Sequence, residues 1–330
     1  MFRKIYYLVL FFYICLSQTN TVFLLQQLFN KITLQKNTNY SEIQKQNIIE
    51  LMPLIFSKCF KSNIYYSGNY VKSDKVDIFI GNHFSTVDFL LYATYIKHFD
   101  KRDIYVIMKR DLLNIPVFGF VASGSKDLLL HRNIEKDKDN IINFVNKIKS
   151  GIVFIFPEGT RKNSKKIVKA QEFSRNNNLP VYENLLFPKM KGIHTIIVEL
   201  IKNNKMGNII DINCNLTKFV NKDAYMMDLL KRRVGDAFGV IETYKVPYDD
   251  RLYDYEYFKK WFLQIWDKKE NILNNMDKYV YHKIIPKLNT STYIYTILCF
   301  FIFTYLNIKT KFLFGIITLL LSYLIIFTTK

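Results

Sequence analysis

Apolar residues fall into two kinds of stretch along this chain. At the ends they are long: Ile5–Leu16 near the N-terminus, then Tyr293–Ile308 and Phe312–Phe327 near the C-terminus, divided only by Lys309-Thr310-Lys311. Between the ends they are short runs rich in β-branched and aromatic residues: Val76–Ile80, Ile104–Met108, Ile152–Phe156, Asn208–Asn213 and Val240–Tyr244. Short continuous runs of this kind suit strands covered on both faces. Helical periodicity separates them, over Thr86–His98, Lys138–Lys149 and Ile193–Asn203. Strand alternating with helix predicts an α/β domain, a mostly parallel sheet flanked by helices.

The long stretches change the picture from a soluble domain to a membrane protein. Each C-terminal stretch is about 24 Å long as a helix, short of a ~30 Å hydrocarbon core unless flanking Thr and Ser residues are counted. A spanning or re-entrant hairpin is expected. At the N-terminus Arg3 and Lys4 precede the apolar stretch and no small-residue cleavage pattern follows, which predicts an uncleaved anchor. Residues 1–64 are thus expected to be an anchor and connecting helix, 65–275 the folded body and 276–330 the hairpin. Tyr253–Asn275 reads as an amphipathic helix ahead of the hairpin, with Trp261 and Trp266 as interfacial anchors.

Composition agrees, with 49% hydrophobic and 16% aromatic residues. The formal charge of +19 favours anionic partners. It is spread over a Lys- and Asn-rich membrane chain without a nucleic-acid-binding module, so phosphates and lipid surfaces are the expected partners rather than nucleic acid. The four cysteines, Cys15, Cys59, Cys214 and Cys299, lie far apart with no CxxC pair. Neither a zinc site nor a disulfide framework is expected.

Chemistry is concentrated after two of the strands. Val76–Ile80 runs into Gly81 and then Asn82-His83-Phe84-Ser85-Thr86-Val87-Asp88. Five positions along a regular helix would set His83 and Asp88 about 140° apart. They meet only if His83 sits on the strand-to-helix turn and Asp88 in the first helical turn, with Ser85 as a plausible N-cap. Asp88 would then fix the imidazole tautomer and make His83 a general base. The second strand, Ile152–Phe156, ends at Pro157, and Glu158-Gly159-Thr160-Arg161 follow. Gly159 permits a tight turn, Thr160 can hydrogen-bond oxygens and Arg161 can grip a phosphate bidentately. The basic run Lys162, Lys165, Lys166 and Lys169 reads mainly as a solvated loop. There is no G-x-S-x-G elbow or Cys–His signature for a protein nucleophile.

NHFSTVD followed about 70 residues later by FPEGTR resembles the paired blocks of the glycerolipid acyltransferases, the lysophosphatidic acid acyltransferase superfamily, closest to its 1-acylglycerol-3-phosphate acyltransferase epsilon and lysocardiolipin acyltransferase branch. "IPVFGFVASGSKDLLLHRN", Ile115–Asn133, is similar to the arginine block between them and puts Arg132 at its arginine. "LLFPKMKG", Leu185–Gly192, matches a fourth block and gives Pro188 and Lys189. Two departures stand out: Lys126-Asp127 where the family usually has glycine, and Lys189 where it commonly has arginine.

The resemblance implies a glycerolipid-acyltransferase-like fold over residues 65–275 and transfer of an acyl chain from acyl-CoA to the sn-2 hydroxyl of lysophosphatidic acid. It implies His83 and Asp88 as the catalytic pair. Asn82, Arg132, Glu158, Gly159, Thr160, Arg161, Pro188 and Lys189 are implied at the substrate, with Glu158 orienting the arginines or the glycerol hydroxyl. Acyl-CoA enters as co-substrate and no bound cofactor or metal is implied. The same blocks also serve remodelling enzymes acting on other lysophospholipids, such as lysocardiolipin, and transacylases. A silent membrane scaffold would have lost His83, Asp88 or Arg161, and all three are present. The implied location is the endoplasmic reticulum or another internal membrane.

Overall fold

The computed structural model describes residues 2–33, 39–85, 88–114, 125–131, 133–217, 234–247, 250–287 and 289–310, with single residues at 119, 122, 229 and 231. In chain order the elements are α1 (Phe2–Thr33), α2 (Asn39–Phe60), β1 (Ile64–Gly68), β2 (Val76–Gly81), α3 (Asp88–Phe99), β3 (Ile104–Lys109), β4 (Leu128–Leu130), α4 (Ile134–Lys147) and β5 (Gly151–Ile155). Then follow α5 (Ser164–Asn176), α6 (Met190–Lys202), β6 (Met206–Leu216), β7 (Ala237–Lys245), α7 (Tyr255–Asn274), β8 (His282–Ile284) and α8 (Thr290–Lys309).

The strands form one sheet in the order β4-β3-β5-β2-β6-β7-β1-β8. Among the described residues, only β6–β7 and β1–β8 pair antiparallel. All five strand runs read from the sequence are present, within two or three residues at each end. β1, β4 and β8 were not read, and the last two are three residues long, too short to carry a period. β8 pairs with β1, so the sheet extends past the expected boundary at residue 275.

β2 is buried along its whole length, which explains why its sequence is continuously apolar apart from Asp77. Phe79 points into a core with Phe56, Tyr92, Tyr95 and Phe154, under α2 and α3. Ile78 and Ile80 point the other way, into a core with Phe144, Ile196, Phe262 and Trp266, under α4, α6 and α7. The period-two alternation of the strand thus separates two apolar layers.

Trp266 is among the largest fully buried side chains, and its indole N–H donates to the Leu186 carbonyl at 3.2 Å. This corrects the interfacial reading of α7: its apolar stripe faces the sheet, and Trp261 packs on the same core. All four cysteines are buried, and none of them forms a disulfide.

The terminal helices pair with each other. The Tyr13 hydroxyl meets Thr304 Oγ1 at 2.9 Å and the Gln18 amide donates to Thr296 Oγ1 at 3.0 Å, so α1 and α8 run antiparallel. α8 is long and apolar enough to cross a membrane. Phe301, Tyr305 and Ile308 of α8 and Phe2, Tyr6 and Val9 of α1 are exposed. The second half of the expected hairpin, Phe312–Phe327, lies outside the described residues.

Candidate functional site

β2 and β5 are parallel neighbours with Ile80 opposite Ile155. The turns that follow them therefore leave the sheet side by side, and that register brings the two chemical blocks together. Gly81 ends β2 because nothing larger fits: a Cβ there would lie 2.7 Å from the Tyr92 ring. Tyr92 uses the space to donate its hydroxyl to both the Asn82 carbonyl and Asn82 Oδ1 at 2.8 Å. The Asn82 amide also donates to the Cys214 carbonyl (2.9 Å) and accepts its N–H (2.8 Å). Asn82, expected at the substrate, thus spends its polar atoms locking the strand end to β6.

His83 and Asp88 meet as the turn geometry requires. His83 Nδ1 lies 2.8 Å from Asp88 Oδ2, and the same oxygen accepts the N–H groups of Phe84 and Ser85 at 3.1 Å. α3 begins at Asp88, three residues after the expected cap Ser85, and places a carboxylate at its positive end. Thr86 and Val87 lie outside the described residues. The imidazole stacks on Phe156 with centroids 4.1 Å apart and planes 13° from parallel. The Asp88 side chain is 2% exposed and that of His83 25%, so the dyad opens outward on the histidine side.

After β5 the turn closes on itself. Gly159 adopts φ +65°, a conformation that favours glycine, and its N–H donates to the Phe156 carbonyl at 2.9 Å. The turn is bonded to the first block, with the Lys162 N–H donating to the His83 carbonyl at 2.8 Å. Glu158 is 1% exposed, and its two oxygens accept the N–H of His83 (2.6 Å) and of Leu186 (3.1 Å). Both carboxylate oxygens therefore brace the backbone, where an orienting role toward the arginines or a glycerol hydroxyl was expected. Burial pushes its carboxyl up to about 7, against the pull of the His83 N–H, Lys162 and the Leu186 N–H.

The fourth block joins the same turn. The Lys189 N–H donates to the Pro157 carbonyl at 2.8 Å, and the stem of Lys189 covers Gly159. Thr160 and Arg161 are half-buried at the rim. Arg132 lies outside the described residues. The Lys126-Asp127 departure ties this region to α2: the Lys126 N–H donates to Glu42 and Asp127 accepts from Lys45 and the Val106 N–H, each at 2.8 Å.

The basic run divides in two. Lys165 and Lys169 are exposed as expected, but they lie on α5 rather than in a loop. Lys162 and Lys166 are not solvated spectators. Lys162 Nζ donates to the Asn184 carbonyl (2.7 Å), and Lys166 Nζ donates to Thr160 Oγ1 (2.7 Å) and the Arg161 carbonyl (2.8 Å). Reading the lysines as one run hid this, since Lys162 precedes α5 and Lys166 lies in its first turn. Tyr92, Phe156 and Leu186 were also missed, and no local signal marks them.

Residues 63–212 match the family model described as Acyltransferase. A probable 1-acyl-sn-glycerol-3-phosphate acyltransferase 5 of Arabidopsis thaliana is 27% identical over 157 residues, 46% of this chain and 42% of the relative. Lysocardiolipin acyltransferase 1 of Gallus gallus is 25% identical over 158 residues, again 46% and 42%. The chain spans less than half the length of these two relatives. The crystal structure of the 1-acyl-sn-glycerophosphate (LPA) acyltransferase PlsC from Thermotoga maritima is 16% identical with a TM-score of 0.46, covering 83% of this chain and 99% of that one.

Proposed function

We propose, from the premise that residues 63–212 form an acyltransferase-family domain, that this protein transfers an acyl chain from acyl-CoA to the sn-2 hydroxyl of lysophosphatidic acid, giving phosphatidic acid and free CoA. The observation that carries the reading is the His83–Asp88 contact at 2.8 Å, on a turn bonded to the Glu158–Arg161 turn.

With Nδ1 engaged by Asp88, Nε2 is the nitrogen free to take a proton. It removes the proton of the acceptor hydroxyl as the oxygen attacks the thioester carbonyl. The tetrahedral intermediate collapses, the C–S bond breaks, and the imidazolium returns its proton to the departing CoA sulfur. No protein nucleophile and no bound cofactor enter the sequence. Arg161, with Arg132 and Lys189, holds the acceptor phosphate, where a guanidinium offers two parallel hydrogen bonds. Thr160, whose oxygen accepts from Lys166, keeps its own proton to donate to a substrate oxygen. Gly159 and Pro188 shape the turn, and Asn82 and Glu158 fix the backbone that carries His83. Holding hydroxyl and thioester together supplies much of the rate, since it removes the entropic cost of their meeting.

Both lipids are membrane components, and α8, together with the exposed apolar sides of α1 and α8, supports work in a membrane. The endoplasmic reticulum or another internal membrane is the proposed site.

A second acceptor class follows from the match to a lysocardiolipin acyltransferase and from lysine rather than arginine at 189. Membranes carrying the chain, supplied with oleoyl-CoA and in turn with lysophosphatidic acid, lysocardiolipin and lysophosphatidylinositol, decide between them. Phosphatidic acid is expected to form fastest. Faster acylation of another lysolipid would move the assignment to that acceptor.

A further inference from the structure

We propose that Glu270, on α7, is a positioning residue for the acyl-transfer site and acts through the loop Asn184–Lys189. The inference rests on the functional reading above and extends it to a helix lying beyond the matched domain, which ends at residue 212.

Residues 179–189 belong to no helix or strand, so their backbone polar groups must find partners elsewhere. α7 supplies several of them. Glu270 Oε1 accepts the N–H groups of Glu183 (2.8 Å) and Asn184 (2.9 Å) and the Asn184 amide (3.0 Å). The Trp266 indole fixes the Leu186 carbonyl, and Asp267 accepts from the Tyr182 hydroxyl at 2.7 Å. One carboxylate oxygen receiving three donors is the strongest of these ties, because each bond is charge-assisted.

The held loop in turn holds the chemistry. It grips the Pro157–Lys162 turn at three points: the Asn184 carbonyl takes Lys162 Nζ, the Leu186 N–H reaches Glu158, and the Lys189 N–H reaches Pro157. Glu158 passes the constraint to the His83 N–H at 2.6 Å. Every step from Glu270 to His83 is a contact of 3.1 Å or less, and no step needs the loop's side chains to reach substrate. Lys269, next along α7, is fully buried and bonds Asp211 (2.6 Å) and the Ile212 carbonyl (3.0 Å). These residues pair with Ile80 and Gly81, immediately before Asn82-His83. The helix thus grips both neighbours of the catalytic turn.

The test uses the full chain in membranes or detergent, comparing wild type with Glu270→Gln, Glu270→Asp and, as a charge control on the same helix, Glu256→Gln. Hydrogen exchange is followed at residues 183–186 and 157–162, with kinetics on oleoyl-CoA and lysophosphatidic acid. Glu270→Gln is expected to speed exchange in both segments and to lower kcat about tenfold, the scale of a lost charge-assisted hydrogen bond. KM for acyl-CoA should stay within about twofold, as uniform binding is untouched. Loosening the Leu186 N–H makes Glu158 hold its proton more tightly, so the acidic limb of the rate profile should move to higher pH. The other groups facing Glu158 (His83, Asp88, Tyr92, Lys162, Lys189) are the same in both proteins. Glu270→Asp should recover part of kcat, and Glu256→Gln should behave as wild type. Faster exchange confined to residues 183–186, or unchanged kcat and pH limb in Glu270→Gln, would overturn the proposal. A wild type inactive on every acceptor would instead sink the functional reading, and exchange at 157–162 would still decide whether Glu270 positions the turn.

Discussion

A single oxygen, Asp88 Oδ2, receives His83 Nδ1 and the two backbone N–H groups that follow it, so one atom sets both the imidazole and the turn that carries it. In Asp88→Asn the amide oxygen can still accept these donors, but the negative charge that would stabilise a protonated His83 is gone. Activity is expected to fall about 10²- to 10⁴-fold, the scale of general-base catalysis. The fold should persist, as read by circular dichroism on the same preparation. Near wild-type turnover in Asp88→Asn would remove the dyad from the mechanism.

Glu158 sets activity and stability against each other as pH changes. Its folded-state value of about 7 lies above the ordinary carboxylate range. The folded protein therefore binds this proton more tightly than the unfolded chain. The group's contribution to stability falls as pH rises from about 4.5 to 7 and is level above that. The ionised form is the one that accepts both the His83 and Leu186 N–H groups, so activity should rise over the same interval. Against Glu158→Gln, the thermal midpoint of the wild type should decline from pH 5 to pH 8 while its relative activity climbs. A pH-independent difference in midpoint would contradict the assignment.

Gly159 carries positive φ in the turn that follows β5. Gly159→Ala should destabilise by about 1–2 kcal/mol from backbone strain. The new Cβ would also lie 2.9 Å from Lys189 Cδ, which a flexible stem can relieve. Adding Lys189→Ala should thus leave most of the loss in place, measured by denaturant melting. Full recovery in the double variant would show that the side-chain clash, not φ, governs this turn.

The Asp211–Lys269 pair is fully buried on both sides. Burial raises the Asp211 carboxyl, and Lys269 beside it opposes that shift. Removing one partner strands the other, so Lys269→Met should cost about 3–5 kcal/mol. Asp211→Asn with Lys269→Met should regain most of it. A Lys269→Met single variant as stable as wild type would mean that the pair is dispensable to the fold.

Both chemical blocks were legible because each follows a strand whose continuous apolar run is unambiguous, and because His83, Asp88, Gly159 and Arg161 are residue types with few other reasons to cluster there. The supports were not. Glu270 and Asn184 are 86 positions apart, and Trp266 and Leu186 are 80 apart. Such contacts arise from packing two layers on one sheet, which no local pattern records. Trp266 misled for a related reason: an aromatic, lysine-rich amphipathic segment looks alike whether its apolar stripe meets lipid or a sheet. Glu158 read as a substrate group because Thr160 and Arg161 follow it closely in sequence, whereas its oxygens accept backbone N–H groups from His83 and Leu186, 75 and 28 positions away.

The most direct measurement is the yield of free CoA and of phosphatidic acid from oleoyl-CoA and lysophosphatidic acid, for wild type and His83→Ala in the same membranes. Equal molar amounts of both products from the wild type, and neither from His83→Ala, are the expected result. CoA and phosphatidic acid formed at wild-type rates by His83→Ala would contradict the account at its centre.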